Sequence, residues 1–277
     1  MITKINSMKI FWVELQKLNY KNFLNEILNN SEQSIIFTPN PEILLAIKKD
    51  SEFTEILKKA NYLTSDWIGL YIAFQILDNN FKYLNILFLP YFVFNILFRK
   101  NYLYKKYWDK ICGSDLTLDL LDYSDKNKLG VTIIDKFQLP GNKWDNLKIV
   151  RQMKTPEILS KKYPKANFHF YFYQKENKEE IIEQINKTND IYFFSTQWLK
   201  DQESTILELM PKLKNIKVAL WVWWSFDMLL WFKKRAPKIF TSFGLEWLWR
   251  LIINPSRMLK RVYNAIFVFI YEVILSK

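Results

Sequence analysis

The sequence predicts an α/β protein in which a mostly parallel β-sheet is covered by helices, with a helical region at its C-terminal end. Three observations predict this fold class. Short runs of β-branched and aromatic residues alternate with helical patterns over residues 34–222, which is the rhythm of βαβ units. Hydrophobic residues make up 49% of the 277 residues, enough for one large domain or two modest ones. From residue 245 onward the pattern is helical.

The predicted elements follow this rhythm in chain order. The predicted strands are short apolar runs at 34–38, just before residue 64, and at 131–135, 168–173, 190–194 and 216–222. The predicted helices lie at 41–49, 51–60, 67–77, 113–121, 155–162, 178–187 and 201–213. Because ligands bind outside the carboxyl ends of parallel strands, the polar residues that follow these strands are candidate site residues.

These candidates are polar or acidic side chains at the ends of strands or the starts of helices: Thr38, Asn40, Asp66, Gln202, Glu203 and Asp227. An aspartate between a strand and a helix, such as Asp66, can act as a general base on a substrate hydroxyl. Helix capping explains the same pattern, and it also explains Asn40 before Pro41. Gln202 and Glu203 either cap a helix or contact a ligand. None of these patterns alone defines a function.

The composition excludes several kinds of site. A single cysteine, Cys112, and a single histidine, His169, rule out a disulfide framework and most zinc sites. For His169, in a strand-like run, we expect a structural role. The sequence contains no Asp-x-Asp pair, so we expect no metal ion, and no other cofactor is indicated. The N-terminal residues mix charged with apolar side chains and do not resemble a signal peptide.

The net charge of +12 and the pI near 9.4 indicate an anionic partner. That partner is a polyanion, an anionic membrane surface or a phosphorylated substrate. No nucleic-acid recognition motif is present, so we do not expect nucleic acid to be the partner. The five glycines are too few to favour a Gly-rich phosphate loop.

A basic stretch near the end of the chain combines four arginines and two lysines with tryptophan and leucine. These cations are Arg235, Lys238, Arg250, Arg257, Lys260 and Arg261. Arginine suits bidentate contact with phosphate, although a solvated basic face is the alternative. Arg250, Arg257 and Arg261 would share one face of a continuous helix. Pro255 should break or kink that helix near residues 253–254.

Two apolar segments are each shorter than the ~20 residues that a spanning helix needs. Residues 83–98 form either a buried helix or a hairpin that enters one membrane leaflet. The segment from Met258 to Leu275 carries Lys260 and Arg261 before an aromatic and aliphatic run. For this segment we favour contact with a membrane surface over a simple docked terminal helix.

Seven motifs in order carry a resemblance to a known family: TPNPEILLAIKKD, ANYLTSDWIGLYIA, ICGSDL, DQE, SFD, KRAP, and GLEWLWRL followed by PSR. They resemble the WecG/TagA/CpsF family of bacterial glycosyltransferases, over residues 34–261. The resemblance implies a Rossmann-like core over 1–232, with an apolar insertion at about 82–100, and a membrane-associating helical appendage over 233–277. It also implies an inverting enzyme that moves a sugar, N-acetylmannosamine in the best-known members, from a UDP-sugar to a polyprenyl-diphosphate-linked acceptor.

The resemblance also assigns roles to residues. It implies that Asp66 is the catalytic base and that the appendage arginines, Arg235, Arg250 and Arg257, complete the active site. It implies that the substrate-binding residues are Thr38, Asn40, Lys110, Gln202, Glu203 and Asp227. The expected location is the cytoplasmic face of the membrane, as a peripheral enzyme of cell-surface polysaccharide synthesis. The sequence leaves open whether the chain forms a homo-oligomer.

Several departures from the family pattern support an alternative. Trp67 stands where the family has glycine after its aspartate, and Lys110 replaces an arginine, which removes a bidentate fork. Trp223 and Trp224 replace a glycine-rich stretch and could fill the nucleotide pocket. The alternative is therefore a degenerate, non-catalytic member that acts as a membrane-associated binding or scaffold subunit.

Overall fold

A six-stranded parallel sheet lies at the centre of the protein, as a computed structural model of the chain shows. In chain order the strands are β1 (Ser7–Ile10), β2 (Val13–Gln16), β3 (Ser34–Phe37), β4 (Tyr62–Leu63), β5 (Gly130–Lys136), β6 (Asn167–Tyr173), β7 (Asp190–Ser195) and β8 (Val218–Trp221). The strands β1 and β2 form a separate antiparallel hairpin. The other six lie in the order β4-β3-β8-β7-β5-β6, and every neighbouring pair is parallel.

Helices connect the strands and form the C-terminal end. They are α1 (Tyr20–Asn29), α2 (Pro41–Lys49), α3 (Ser51–Lys58), α4 (Leu70–Asp78), α5 (Asn85–Phe98), α6 (Lys100–Tyr107), α7 (Gly113–Asn127), α8 (Lys143–Lys162), α9 (Lys178–Asn186), α10 (Asp201–Leu209), α11 (Glu246–Ile253), α12 (Pro255–Tyr263) and α13 (Phe269–Ser276). A π-helical turn, Asn264–Val268, joins α12 to α13.

The structure describes residues 7–67, 69–81, 84–136, 143–222, 236–237, 240 and 245–276. The side chains of residues 143–152, 246 and 257 lie outside this description. We call residues 246–276, which comprise α11, α12, the π turn and α13, the C-terminal arm.

Both faces of the sheet are buried, as expected for a parallel sheet. Successive residues of a strand enter opposite cores, because side chains alternate across a sheet. In β3, Ile35 and Phe37 join the core formed with α2, α3, α4, α10 and α13, whereas Ile36 joins the core formed with α1, α7 and α8. In β7, Phe193 joins the first core and Phe194 the second. This alternation fixes the register of the strands.

The predicted fold class and its strands and helices are confirmed, with shifts at some ends. Helix α4 begins at Leu70, three residues after the predicted start, and α7 and α8 are longer than predicted. The hairpin of β1 and β2 and the helix α1 were not predicted. A signal for α1 was present: the Asn19 side chain accepts from the amide of Asn22, and Phe23 and Ile27 lie four residues apart on its buried face.

The predicted helix break at Pro255 is confirmed. Helix α11 ends at Ile253, Asn254 links the two helices, and Pro255 occupies the first turn of α12. Proline is tolerated there because the first amides of a helix have no intrahelical partner. The break turns the C-terminal arm back towards the core, so that the π turn packs on α2 and α13 packs on α2 and α4.

The last helix docks on the core. Phe269 and Val273 are fully buried, and Glu272 forms an ion pair with Lys48 of α2. The inner face of α13 is thus docked on the core, while the outer face of the arm stays exposed and apolar. Contact of Met258 to Leu275 with a membrane surface stays a prediction. Among the described residues, no helix is both long enough and apolar enough to cross a membrane.

Candidate functional site

A cleft of about 140 Å³ lies between the core and the C-terminal arm. The core supplies the first turn of α2, the loop after β4 and the loop before α7, and the arm supplies the opposite wall. The lining residues are Asn40, Pro41, Glu42, Asp66, Trp67, Lys110, Cys112, Trp247, Arg250, Met258, Arg261, Val262 and Ala265. The cleft thus brings together four of the predicted site residues: Asn40, Asp66, Lys110 and Arg250.

Parallel pairing places Asp66 at the carboxyl edge of the sheet. The amide of Thr64 donates to the carbonyl of Phe37 at 3.0 Å, which continues the pairing of β3 and β4 beyond their ends. The amide of Ile111 donates to the carbonyl of Ser65 at 3.0 Å, which draws the loop before α7 alongside. As a result, the amide of Gly113, at the start of α7, donates to Asp66 Oδ1 at 3.3 Å.

Burial raises the pKa of Asp66 above the ordinary value of an aspartate. A hydrogen bond from Cys112, the charges of Lys110 and Arg250, and the Gly113 amide oppose this shift, but burial dominates. A carboxylate with a raised pKa is a stronger base than an exposed aspartate. It therefore has the property that a general base requires.

Two helix N-termini meet at the cleft. Asn40 caps α2, because its Oδ1 accepts from the amides of Glu42 at 2.9 Å and Ile43 at 3.2 Å. Asp66 lies at the N-terminus of α7, as its bond to Gly113 shows. The positive end of each helix dipole favours an anion. Together with Lys110 and Arg250, these termini make the cleft suited to a phosphorylated ligand.

An ion pair holds the C-terminal arm against α2. Arg261 donates from Nε to Glu42 Oε1 at 2.8 Å and from Nη2 to Glu42 Oε2 at 2.5 Å. Both side chains are about 30% exposed, so solvent only partly screens this bidentate contact. Glu42 and Arg261 both line the cleft, and their pairing fixes the wall that carries Arg250.

Three predicted residues lie behind the cleft, outside its lining. Thr38 is buried against Gly113, where a side chain would place its Cβ 2.9 Å from Thr38 Oγ1. Gln202 and Glu203 are also buried. Glu203 caps α10 by accepting from the amide of Lys200 at 2.7 Å, and burial raises its pKa to about 7. A substrate contact for these three residues stays a prediction.

The remaining predictions fall outside the described residues. Asp227, Arg235, Trp223 and Trp224 are among them. The backbone of Arg257 lies in α12, but its side chain is not described.

Three side chains that line the cleft, Trp67, Cys112 and Arg261, were named in the sequence but not assigned to the site. Trp67 covers Gly69 so closely that any side chain at position 69 would overlap its indole ring. Burial raises the pKa of the Cys112 thiol to about 12, which disfavours the thiolate form that a nucleophile needs. Arg261 pairs with Glu42, a residue 219 positions earlier in the sequence. The order of the family motifs indicated that the segments containing these residues contribute to the site, but it did not indicate which side chains are in contact.

His169 has a structural partner, in line with the expectation for it. Its Nδ1 lies 2.9 Å from both carboxylate oxygens of Asp190, and Thr132 donates to the same carboxylate at 2.6 Å. These residues lie on β5, β6 and β7, away from the lining of the cleft. Within the described residues, no group of three histidine, cysteine or acidic side chains could hold a metal ion.

The sequence is similar to bacterial glycosyltransferases over most of its length. Residues 8–86 and 95–277 match the sequence profile of the glycosyl transferase WecG/TagA/CpsF family. The N-acetylglucosaminyldiphosphoundecaprenol N-acetyl-beta-D-mannosaminyltransferase of Bacillus subtilis is 26% identical over 81% of this chain and 73% of its own. The protein of the same name from Staphylococcus aureus is 22% identical over 92% of this chain and 84% of its own. The chain therefore belongs to the WecG/TagA/CpsF family of glycosyltransferases.

Proposed function

We propose that this protein is an inverting glycosyltransferase that moves a sugar from a UDP-sugar to a polyprenyl-diphosphate-linked acceptor. The names of the relatives suggest N-acetylmannosamine as the sugar and N-acetylglucosaminyldiphosphoundecaprenol as the acceptor. The observation that carries the proposal is the cleft itself: a base with a raised pKa faces an arginine that the C-terminal arm delivers.

Asp66 is the proposed catalytic base. Its carboxylate accepts the proton of the acceptor hydroxyl while the hydroxyl oxygen attacks the anomeric carbon of the donor sugar. The bond from that carbon to the UDP oxygen breaks, and UDP leaves with the bonding electron pair. Attack from the face opposite UDP inverts the anomeric configuration. A positioned base of this kind contributes roughly 10²–10⁴-fold to the rate.

The cations of the cleft are proposed to stabilise diphosphate charge. Charge develops on the leaving UDP as the glycosidic bond breaks, and the acceptor carries a diphosphate of its own. Arg250, Lys110 and the N-termini of α2 and α7 surround the place where one of these groups would lie. Such groups act strongly because they are fixed in place before the reaction. We also propose that Arg235 and Arg257 contribute here.

The size of the cleft supports a role at the reacting ends of the substrates. Its volume of about 140 Å³ is below the ~300–1,000 Å³ of typical small-molecule sites. It therefore suits the reacting sugar and neighbouring phosphate better than a whole sugar nucleotide. We propose that Thr38, Asn40, Gln202, Glu203 and Asp227 contact the substrates beyond it.

The exposed surface of the C-terminal arm supports the proposal that the enzyme associates with a membrane. Five exposed apolar side chains recur at every fourth position along α12, the π turn and α13: Leu259, Tyr263, Phe267, Tyr271 and Leu275. This stripe is the pattern of a helix that lies in a membrane interface. It favours a peripheral enzyme on the cytoplasmic face of the membrane, where Met258 to Leu275 contact lipid and the acceptor is presented to the cleft.

Trp67 favours one alternative, a family member that binds without catalysis. Its indole occupies the cleft beside Asp66, where the family pattern has glycine. A donor that cannot enter this narrowed space would leave a binding or scaffold subunit. UDP binding separates the two functions, because a filled nucleotide site binds no UDP.

A transfer assay tests the proposal. The full-length protein is incubated with each of a panel of UDP-sugars and with a polyprenyl-diphosphate N-acetylglucosamine acceptor, and UDP release and product lipid are measured together. We expect acceptor-dependent release with one donor and inverted configuration in the product. Absence of turnover with every donor, alongside absence of UDP binding in calorimetry, would support the non-catalytic alternative.

A further inference from the structure

Helix α5 carries apolar side chains on its solvent-facing side as well as on its buried side, where Phe92 and Ile96 enter the core. Its buried positions include two polar side chains, Asn85 and Asn95, which are less than 2% exposed. Its outward positions are aliphatic and aromatic: Ile86, Leu87, Phe88, Tyr91, Val93, Phe94 and Phe98. Leu87 is 71% exposed and Phe98 is 66% exposed. A surface helix in water carries charged or polar side chains on the face opposite its apolar stripe, so the apolar outer face of α5 is unusual.

Amide hydrogen bonds join α5 to α4 beneath this surface. Asn95 Nδ2 donates to Gln75 Oε1 at 2.7 Å, and Gln75 Nε2 donates to the carbonyl of Phe92 at 3.3 Å. At the other end of α5, Asn79 Nδ2 donates to Asn85 Oδ1 at 2.9 Å. Polar side chains that bond across a helix pair, with apolar side chains facing outward, are typical of helices surrounded by lipid.

The charges around α5 complement an anionic surface. Residues 82–107 contain five cations and no aspartate or glutamate: Lys82, Arg99, Lys100, Lys105 and Lys106. Lys106 forms an ion pair with Asp78 of α4. Arg99 lies at the C-terminal end of α5, with its guanidinium 5.1 Å from the ring centroid of Tyr102. Cations beside exposed aromatic side chains are typical of helices that bind anionic lipid headgroups.

Helix α4 connects α5 to the C-terminal arm. Helix α4 packs against both α5 and α13. The family profile, by contrast, matches both sides of α5 but not residues 87–94, which form its exposed middle. Most of this surface therefore lies outside the part of the chain that the family profile matches.

We infer that α5 is a second membrane-binding element, whose outward face inserts into the interface of an anionic bilayer. For residues 83–98 the sequence left open a buried helix or a hairpin that enters one leaflet. The structure has a single, partly buried helix over Asn85–Phe98, and the inferred membrane contact concerns its exposed face. At 14 residues it is too short to span a bilayer, so it lies along the interface. The inference does not depend on the proposed reaction, because it concerns binding to lipid alone.

Vesicle flotation with the full-length protein tests this inference. The vesicles contain phosphatidylethanolamine and phosphatidylglycerol, and the variant is Leu87→Asp combined with Phe94→Asp. Both side chains are exposed, so the variant should fold, which circular dichroism and a thermal melt verify. We expect at least a 10-fold loss of the vesicle-bound fraction. The matched control is Met153→Asp on α8, another exposed apolar position, which should bind as the unaltered protein does.

A probe at position 87 gives a second readout. A Leu87→Cys, Cys112→Ser protein labelled with an environment-sensitive fluorophore should be quenched by lipids that carry a shallow nitroxide. The same label at Glu183, an exposed position on α9, should not be quenched. Unchanged vesicle binding by the aspartate variant, or absence of quenching at position 87, overturns the inference. It is also overturned if the protein is an oligomer without lipid and the aspartate variant is a monomer, because a second copy then covers α5.

Discussion

Helix α5 and the C-terminal arm both expose apolar side chains, but they differ in the contacts that attach them to the core. The arm buries Phe269 and Val273 in the core and forms ion pairs with α2 through Arg261 and Glu272. Helix α5 buries Asn85 and Asn95 beside Phe92 and Ile96, and exposes an outer face of aliphatic and aromatic side chains.

The difference separates two tasks. The arm links the cleft to the proposed membrane surface, because α11 supplies Arg250 to the cleft and the helical elements that follow it carry the exposed apolar stripe. Helix α5 contributes no side chain to the cleft lining. Damage to the arm should therefore abolish catalysis, whereas damage to α5 should weaken only binding to the membrane.

The largest effect is expected from removal of the arm. A protein truncated after Lys234 loses Arg250 and one wall of the cleft, so sugar transfer should fall to background. The truncation also uncovers the core around Phe269, so it should lower the melting temperature. Transfer assays in detergent, where binding to a membrane is not required, check the prediction. Unchanged turnover would show that the arm does not take part in the reaction.

A smaller effect is expected from Arg250. Arg250→Ala removes one fixed cation from the cleft, so kcat/KM should fall about 10²–10³-fold. Arg250→Lys keeps the charge but loses the planar guanidinium and should recover part of that loss. Steady-state kinetics in detergent measure both variants. Equal activity of the alanine variant and the unaltered protein would remove Arg250 from the site.

The ion pair between Glu42 and Arg261 should matter less, because neither group is proposed to contact the reacting atoms. Glu42→Gln weakens the contact that holds the arm on α2, which should shift Arg250 slightly. Because a small misplacement of a catalytic group slows a reaction, we expect kcat/KM to fall about 10-fold. The matched control is Glu183→Gln on α9. This change removes an exposed carboxylate whose ion-pair partner is Lys187, the residue that follows α9. A double variant, Glu42→Arg with Arg261→Glu, should recover activity if the pairing is what matters.

Helix capping and proline positions predicted where the helices around the site begin and end, whereas contacts between distant parts of the chain were not predictable from the sequence. Asn40 before Pro41 fixed the start of α2, and Pro255 fixed the break in the arm, because both act through neighbouring backbone groups. The sequence could not show that Arg261 would pair with Glu42, since docking of the arm decides that contact.

The face of α5 that packs against the core was likewise not predictable from the sequence. The asparagines of α5 were visible as interruptions in an apolar run, but their direction depends on Gln75 and Asn79 of α4, which offer amide partners. The spacing of apolar residues along the sequence does not by itself show which face of α5 packs against the core. The raised pKa of Asp66 is likewise a product of burial in the assembled cleft.

The pH dependence of kcat/KM for the unaltered protein and for Asp66→Asn tests the central claim most directly. Asp66 must be ionised to accept a proton, and burial raises its pKa. Activity should therefore rise with pH through a midpoint above the ordinary pKa of aspartate. The Asn variant should lose this rise and roughly 10²–10⁴-fold of its activity while still binding UDP. Full activity in Asp66→Asn, or the same pH limb in both proteins, would contradict the assignment of Asp66 as the base.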